Sequence, residues 1–574
     1  MSKKFLLYFC FYILILLFVF RDLILNISTN LLDWRDYPYI IWVIHQSVIH
    51  IGNLDFVNFF ETNAFYPHKL TLMFSDILLP QALIVLPLFY SIKNIILSFN
   101  ITFLITFILN FIATFLFWKQ IFKKDTIAFF GSLFFIFSPF FHLELSHFQM
   151  ISYWPYFLAL YFLFKNEEKE ETKNLIFIGL ILTIQFLASV YLSIYLIFSI
   201  LVFYFLKIIF KRHLKKDVFR IFIIFFVFLM TSGIFIKGYI DMKNYYNIKR
   251  DLKEYITYSA HLSDYLFTSQ INSLIHRSSV MQTWNKADKN WSVHSSFPGF
   301  LIFILSVYAL FRIAKAKQED KSFFSINLEL NREKLFFLML ITTGFLFSLG
   351  PRLNFNGNYA HIPLPYSAVI KFVPISEVIR VPSRWSFLFF LGFVYFSLIT
   401  LNKLKQKPYN KLIFLLIFVF FILEYLPTNI KSVQSPYINN DYQTLKNMCA
   451  DNKKVLLELP ATHLNAYPNI IEGLEYISKV ELASTYHNCN IVNGYSGYDL
   501  PDIFILSDVL SKYIEAGNTK AFIEEVQKRK IDVVKFNQYY FIEEMKSPVH
   551  NFVDAIATES GVEKINEGLF LLHR

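Results

Sequence analysis

Residues 218–240 read VFRIFIIFFVFLMTSGIFIKGYI, and this run decides the fold class. About 20 apolar residues in a helix, at roughly 1.5 Å rise each, cross the ~30 Å hydrocarbon core of a bilayer. Further apolar segments occupy 5–27, 76–97, 99–118, 126–141, 148–164, 174–190, 191–210, 297–313, 334–350, 386–401 and 411–427. The composition agrees: 55% of the 574 residues are hydrophobic, 69 are Phe and 34 are Tyr. Charged residues make up 17%, against roughly 25% in soluble proteins. The chain therefore reads as an α-helical polytopic membrane protein with about 11–13 transmembrane helices.

The net charge of +11 would suggest nucleic acid in a soluble protein. Here the basic residues gather in short loops, such as Lys211, Arg212, Lys215 and Lys216, and Lys403, Lys405, Lys407 and Lys411. That is the positive-inside pattern, and no nucleic-acid partner is expected. With 211–217, 312–333 and 402–411 in the cytoplasm, the loops 241–296 and 351–385 lie outside, as does everything after about 428. The loop 165–173 mixes both signs and does not orient the chain. Ser2-Lys3-Lys4 followed by Phe5–Phe20 reads as an uncleaved first helix, because Arg21-Asp22 replaces a small-residue cleavage site.

Parity raises a conflict. A cytoplasmic N-terminus and an external C-terminus require an odd number of crossings, whereas twelve segments are present. Segment 76–97 carries Pro80 and Pro87 and is the candidate for a re-entrant or broken helix.

Along the sequence the chain divides into a membrane domain, 1–427, and a soluble extracytoplasmic domain, 428–574. In the latter, Val455–Leu459 reads as a strand stopped by Pro460, Ala521–Lys530 as a helix and Ile531–Phe536 as a strand. Glu567-Gly568 reads as a turn before Leu569–Leu572. Alternating helix and strand predicts a small α/β domain. Cys449 and Cys489 fall there, either paired or as two thiols.

The first outer loop, 28–75, holds Asp33-Trp34-Arg35-Asp36-Tyr37-Pro38. Two carboxylates three apart share a face if the segment is helical. Residues 37–51 alternate apolar positions with Trp42, His45, Gln46 and His50, which predicts an amphipathic interfacial helix. A solvated acidic loop with Arg35 as counter-ion accounts for the same residues. Asp76, His142, Glu144, His147, Arg380 and Arg384 lie at helix ends on the same presumed outer side. Capping or snorkelling explains any one of them. Together, arginines suit phosphate oxygens and a carboxylate suits a general base. No phosphate-binding glycine loop, nucleophile triad or metal-ligand spacing is present, and 16 glycines argue against an ATP-driven motor.

The ordered motifs resemble the GT-C superfamily of polytopic glycosyltransferases, in a poorly characterised bacterial branch. They are Asp36 with Trp42 and His45; Asn63-Ala64-Phe65-Tyr66-Pro67-His68 with Ser75-Asp76; His147, Gln149, Trp154 and Pro155; Leu349-Gly350-Pro351; Pro363-Leu364-Pro365-Tyr366; and Arg380 with Arg384. In the C-terminal part come Leu457-Glu458-Leu459-Pro460 and Asn493-Gly494-Tyr495-Ser496-Gly497. The resemblance implies a sugar donor linked to a polyprenyl phosphate, an acceptor glycan, lipid or protein of the cell envelope, and a site facing away from the cytoplasm of the bacterial inner membrane. Asp36 would be the general base, with Asp33 its rival. Arg380 and Arg384 would sit near the lipid phosphate, while Asp76, His45 and His147 would line the cavity, with Gln149 beside them. Asn493 and Tyr495 either contact substrate or form a turn. Asp33 with Asp36 holds a divalent cation or none. Two other classes fit the same residues: a transporter or flippase of a lipid-linked glycan, and an envelope scaffold.

Overall fold

The computed structural model describes residues 3–34, 36–211, 213–266, 273–275, 277–280, 296–319, 328–355, 358–372, 376–405, 410–428, 430–435, 440–450, 453–462, 470–498 and 500–573. Arg35, Arg212, Lys407 and much of the loop 241–296 lie outside these. Packing divides the chain into two compact units. One, the helical unit, comprises Met1–Leu25, Phe103–Ile236 and Asn247–Lys431. The other, the mixed unit, comprises Asn26–Thr102, Lys237–Tyr246 and Ser432–Arg574.

Bilayer hydrocarbon offers the backbone no hydrogen-bond partners, so apolar runs there must satisfy their own peptide groups as helices. Each of the twelve apolar segments contains a helix. Five helices among the described residues are long and apolar enough to cross alone: Ile95–Phe122, Asp125–His142, Val190–Phe210, Leu214–Tyr245 and Pro382–Leu404. The expected 11–13 full-length spans are thus not all present as individually sufficient helices. Pro155 and the charged residues 165–171 confine Trp154–Glu168 to 15 residues, and Thr172–Ala188 has 17. Helix Ser386–Leu404 is buried along nearly its whole length. It packs against Phe300–Glu319 and Leu328–Ser348. Close approach requires glycine: a Cβ at Gly344 would collide with the backbone nitrogen of Phe389, and one at Gly392 with Ile341. Phe337 stacks on Tyr395 at 3.8 Å.

The mixed-charge loop 165–173 is tied to the basic residues that follow. Glu167 pairs with Lys207 and Arg332, while Glu170 pairs with Arg220 and, at 2.6 Å, with Lys216. Its acids are the partners of the neighbouring basic residues, which is why their net charge carried no orientation signal.

Segment 76–97, the candidate for a broken helix, is short in the structure. Leu78 takes a left-handed backbone conformation, and the helix runs only over Leu79–Ile92, 14 residues. At 1.5 Å per residue that is about 21 Å, short of a ~30 Å core. It packs on helix Asp36–Gly52 within the mixed unit.

The first-loop helix spans Asp36–Gly52 and is buried at every position from Tyr37 to Val48. The amphipathic surface helix expected from the sequence is therefore a core helix, whose polar positions are met by protein groups. Trp42 Nε1 and Gln46 Nε2 both donate to Asn63 Oδ1, at 2.9 and 2.8 Å, and Asn63 Nδ2 donates to the Cys489 carbonyl at 3.1 Å. The helix also packs against Ile470–His487. These contacts group the first loop with the residues after Ser432, a division that differs from the one drawn along the sequence.

Within the mixed unit lies a five-stranded sheet in the order Asn490–Ile491, Val455–Leu459, Val533–Phe536, Leu569–Leu572, Val562–Asn566. The first three strands are parallel and the last two antiparallel to their neighbours. The strand expected from Ile531 begins at Val533, because Ile531 still closes the preceding helix through a bond to the Val526 carbonyl and Lys530 is left-handed. Cys449 and Cys489 form a disulfide across a sequence separation of 40. Loop-closure entropy for a link of that length stabilises by about 4 kcal/mol. Replacing both cysteines with Ser should lower the denaturant midpoint of the mixed unit accordingly, read by unfolding of the purified chain with and without reductant. An unchanged midpoint would remove the disulfide from the list of stabilising elements.

Candidate active site

In the mixed unit, the first-loop helix is described from Asp36. Asp33 lies outside the helix and accepts the Asp36 backbone N–H on Oδ1 at 3.1 Å. The expected shared helical face is corrected by this geometry: Asp33 satisfies one of the orphan donors of the first turn, as a capping carboxylate does. The Asp36 carboxylate is half-buried and accepts a hydrogen bond from the Tyr495 hydroxyl at 3.3 Å. Tyr495 also packs edge-on against Tyr39 at 5.2 Å, and its backbone N–H donates to Glu481 Oε1 at 2.7 Å.

Glu481 was not foreseen. The sequence signal is one carboxylate within Val480-Glu481-Leu482-Ala483, an otherwise apolar stretch. Burial drives its carboxyl well above the usual range, against the opposing pull of the Tyr495 N–H. Its Oε2 is buried without a hydrogen-bond partner among the described residues. A carboxyl that binds its proton more tightly when folded stabilises the fold fully below the unfolded value, about 4.3. That contribution is lost as pH rises through the folded value. Glu481→Gln, which is permanently neutral, should therefore be less sensitive to a shift from pH 5 to pH 9 than wild type. Parallel loss of stability in the two proteins would show that Glu481 is not the protonated group.

The remaining mixed-unit residues fall into different roles. Burial lowers His45 to about 4, so its ring is neutral near pH 7. It packs edge-on to Phe89 at 5.4 Å and lines a cavity of about 900 Å³. Asp76 is not on that cavity's lining; its charge acts on Tyr39 and Tyr239. Asn493 is fully buried. Its amide donates to the carbonyls of Glu458 and Ala461, at 2.8 and 3.2 Å, and accepts the Glu458 N–H at 2.9 Å. Those bonds fasten the end of the strand Val455–Leu459, so of its two expected roles the geometry favours the structural one.

In the helical unit, Arg384 and His147 converge on one carboxylate. Glu144 Oε2 lies 3.4 Å from Arg384 Nη2 and 3.1 Å from His147 Nδ1. Burial pushes Glu144 up, but the charges of Arg384 and His147 prevail and hold it at about 2. Arg384 also covers the ring of Tyr191 at 5.0 Å. Arg380 is more open: it covers Tyr258 at 5.1 Å and lies 3.8 Å from Glu254, which Arg250 grips at 2.6 Å. The Arg380-x-Pro-x-Arg384 spacing works because Pro382 starts a short 3-10 turn, Pro382–Trp385, that turns Arg384 inward. Gln149 Oε1 is buried without a hydrogen-bond partner among the described residues. Glu254, Arg250 and Tyr191 carry no motif and became visible only through these contacts.

Among the described residues no group of three His, Cys, Asp or Glu side chains converges as metal ligands.

The fold has solved relatives. The arabinofuranosyltransferase AftD from Mycobacteria superposes with a TM-score of 0.59 at 10% identity, over 100% of this chain and 40% of that one. The oligosaccharyltransferase of Archaeoglobus fulgidus gives 0.52 at 10% identity, over 92% and 69%. This chain thus spans well under half the length of the arabinofuranosyltransferase. At such identity the likeness shows the fold alone, and the long apolar helices make the chain a multi-pass membrane protein. No curated protein matches it in sequence. The chain belongs to the family described as "Domain of unknown function (DUF6311)", whose model matches residues 52–423.

Proposed function

We propose that this chain is a membrane glycosyltransferase that takes a sugar from a polyprenyl-phosphate donor and attaches it to a cell-envelope acceptor. The observation that carries the reading is the separation of the two loop carboxylates. Asp33 Oδ1 accepts the Asp36 backbone N–H, whereas the half-buried Asp36 carboxylate accepts the Tyr495 hydroxyl. In the reaction, Asp36 takes the proton of an acceptor hydroxyl as its oxygen bonds the anomeric carbon. The bond from that carbon to the phosphate oxygen breaks, the phosphate leaves with the electron pair, and the configuration inverts. Glu481 positions Tyr495 through its backbone N–H. In the helical unit, Arg380 and Arg384 carry cations whose chemistry suits a lipid phosphate.

The Cys449–Cys489 disulfide supports placing residues after 428 in an oxidising compartment, outside the bacterial inner membrane, with the N-terminus in the cytoplasm. The test is mass analysis of envelope glycans and glycolipids in a deletion strain complemented with wild type or Asp36→Asn. Loss of one hexose- or pentose-sized increment, restored by wild type alone, supports transfer and narrows the sugar. Equal restoration by both, or accumulation of intact precursor, would replace this reading with a transporter or scaffold.

A further inference from the structure

The open cavity of about 900 Å³ that His45 lines has only mixed-unit residues on its wall, and it is at the large end of ligand cavities (roughly 300–1,000 Å³). Its charge is one-sided. Lys93, Lys446, Lys479 and Lys535 line it, and no Asp or Glu does so among the described residues. Lys535 is answered from below by Glu458 at 3.1 Å. Lys93, Lys446 and Lys479 have no ion-pair partner among the described residues; Glu475, four residues before Lys479, attracts it at longer range. Three uncompensated ammonium groups around one cavity raise its potential and attract anions.

Each ammonium also rests on an aromatic face. Lys479 lies 4.2 Å from the Trp34 ring centre, Lys446 4.3 Å from Tyr486, Lys535 3.7 Å from Tyr442 and Lys93 4.8 Å from Tyr90. The aromatic rings hold the cations in place while offering apolar surface beside them. Asn488, Asn537 and Gln434 add amides that donate and accept. Ammonium, flat apolar surface and amide together match a ligand that carries negative charge, C–H faces and hydroxyls at once.

Position in the sheet gives a second, independent reason. Val455–Leu459 and Val533–Phe536 run parallel with Glu458 opposite Lys535. From Val455–Leu459 the chain first adds Asn490–Ile491 on one side and then Val533–Phe536 on the other. The crevice beyond the carboxyl ends of two such strands is where open α/β sheets bind ligands. Lys535 and Asn537, at and just past that strand end, lie on the cavity wall. Glu458 is held there by Asn537 at 2.8 Å and Tyr442 at 3.2 Å. Trp34, also on the cavity wall, precedes Asp36 by two residues, at most about 7 Å of chain, although Asp36 itself is not on the lining.

We propose that this cavity binds a negatively charged saccharide, one bearing carboxylate or phosphate groups, as the acceptor presented to Asp36. The inference rests on the transferase reading for the acceptor role, but not for binding. The full-length chain, purified in detergent, is titrated calorimetrically with oligogalacturonate, its fully methyl-esterified form and phosphopentamannose. Binding of one or both anionic probes, at least about tenfold tighter than the neutral ester, is expected. A preference between the two anionic probes assigns the charge to carboxylate or phosphate. Lys446→Gln and Lys479→Gln should each weaken that binding about tenfold, with unchanged melting. Asp36→Asn should bind like wild type. Equal affinity for the neutral ester, no binding of any probe, or wild-type affinity in both lysine variants would overturn the proposal. Intact binding with no transfer by wild type would instead sink the transferase reading alone.

Discussion

Asp36→Asn abolishes sugar transfer and leaves the protein folded: that is the expected result, and the geometry explains both halves. The amide oxygen of Asn can still accept the Tyr495 hydroxyl, and the residue-36 N–H still bonds Asp33. Helix Asp36–Gly52 keeps its first turn and its buried face. What is lost is the capacity to take a proton, a contribution of roughly 10²–10⁴ in rate for a positioned base. Asp33→Ala should behave in the opposite manner. It removes a first-turn acceptor at a cost of about 1 kcal/mol, while transfer survives. The pair is measured as sugar incorporation per folded molecule, with folding followed by size-exclusion profile and melting. Transfer at the wild-type rate by Asp36→Asn, or a greater loss in Asp33→Ala, would move the base elsewhere.

The second large effect is expected at Arg384. Its guanidinium and Glu144 form a buried pair, with Arg384 only 8% exposed and His147 on the same carboxylate oxygen. Truncating one partner leaves a charge stranded in low dielectric. Arg384→Ala should cost about 3–5 kcal/mol. The cost falls on Glu144, so the double variant Arg384→Ala/Glu144→Gln should recover much of the loss. Denaturant unfolding of the four proteins in detergent closes the cycle. If the double variant is no more stable than the single one, the pair is not what stabilises this corner. Transfer should remain impaired in the double variant, because an uncharged position 384 cannot hold a phosphate. Normal transfer there would leave Arg380 to do so alone.

The sequence was most legible where one physical rule acts on neighbouring residues. Strand Val455–Leu459 ends at Pro460 and strand Leu569–Leu572 follows its Gly568 turn as expected, because a short apolar run and its bounding turn residues are local signals. The apolar segments were equally plain and each contains a helix, although only five among the described residues are long and apolar enough to cross alone. The first loop misled for the converse reason. Trp42 and Gln46 read as one polar stripe of a surface helix, yet their partner is Asn63, and Asn63 is held by Cys489 more than 400 positions along the chain. Nothing within the helix records that partner.

The candidate sites divide in the same way. Asp36, His147 and Arg384 stand in recognisable motifs, but Tyr495 on Asp36 and Glu144 between His147 and Arg384 are facts of contact. Glu481 has an ordinary carboxyl in sequence, and only burial raises its pKa. The three uncompensated lysines come from separated stretches, around 93, 446 and 479, and gather at one cavity only when the first loop packs on the sheet-bearing region. By itself the sequence determined that the chain is a helical membrane protein with a strand-containing C-terminal region, because hydropathy and periodicity are properties of neighbouring residues. Tertiary structure alone decided that Asp36 meets Tyr495, that Glu144 meets Arg384 and where the cations gather, because burial and charge pairing depend on residues brought together from distant parts of the chain.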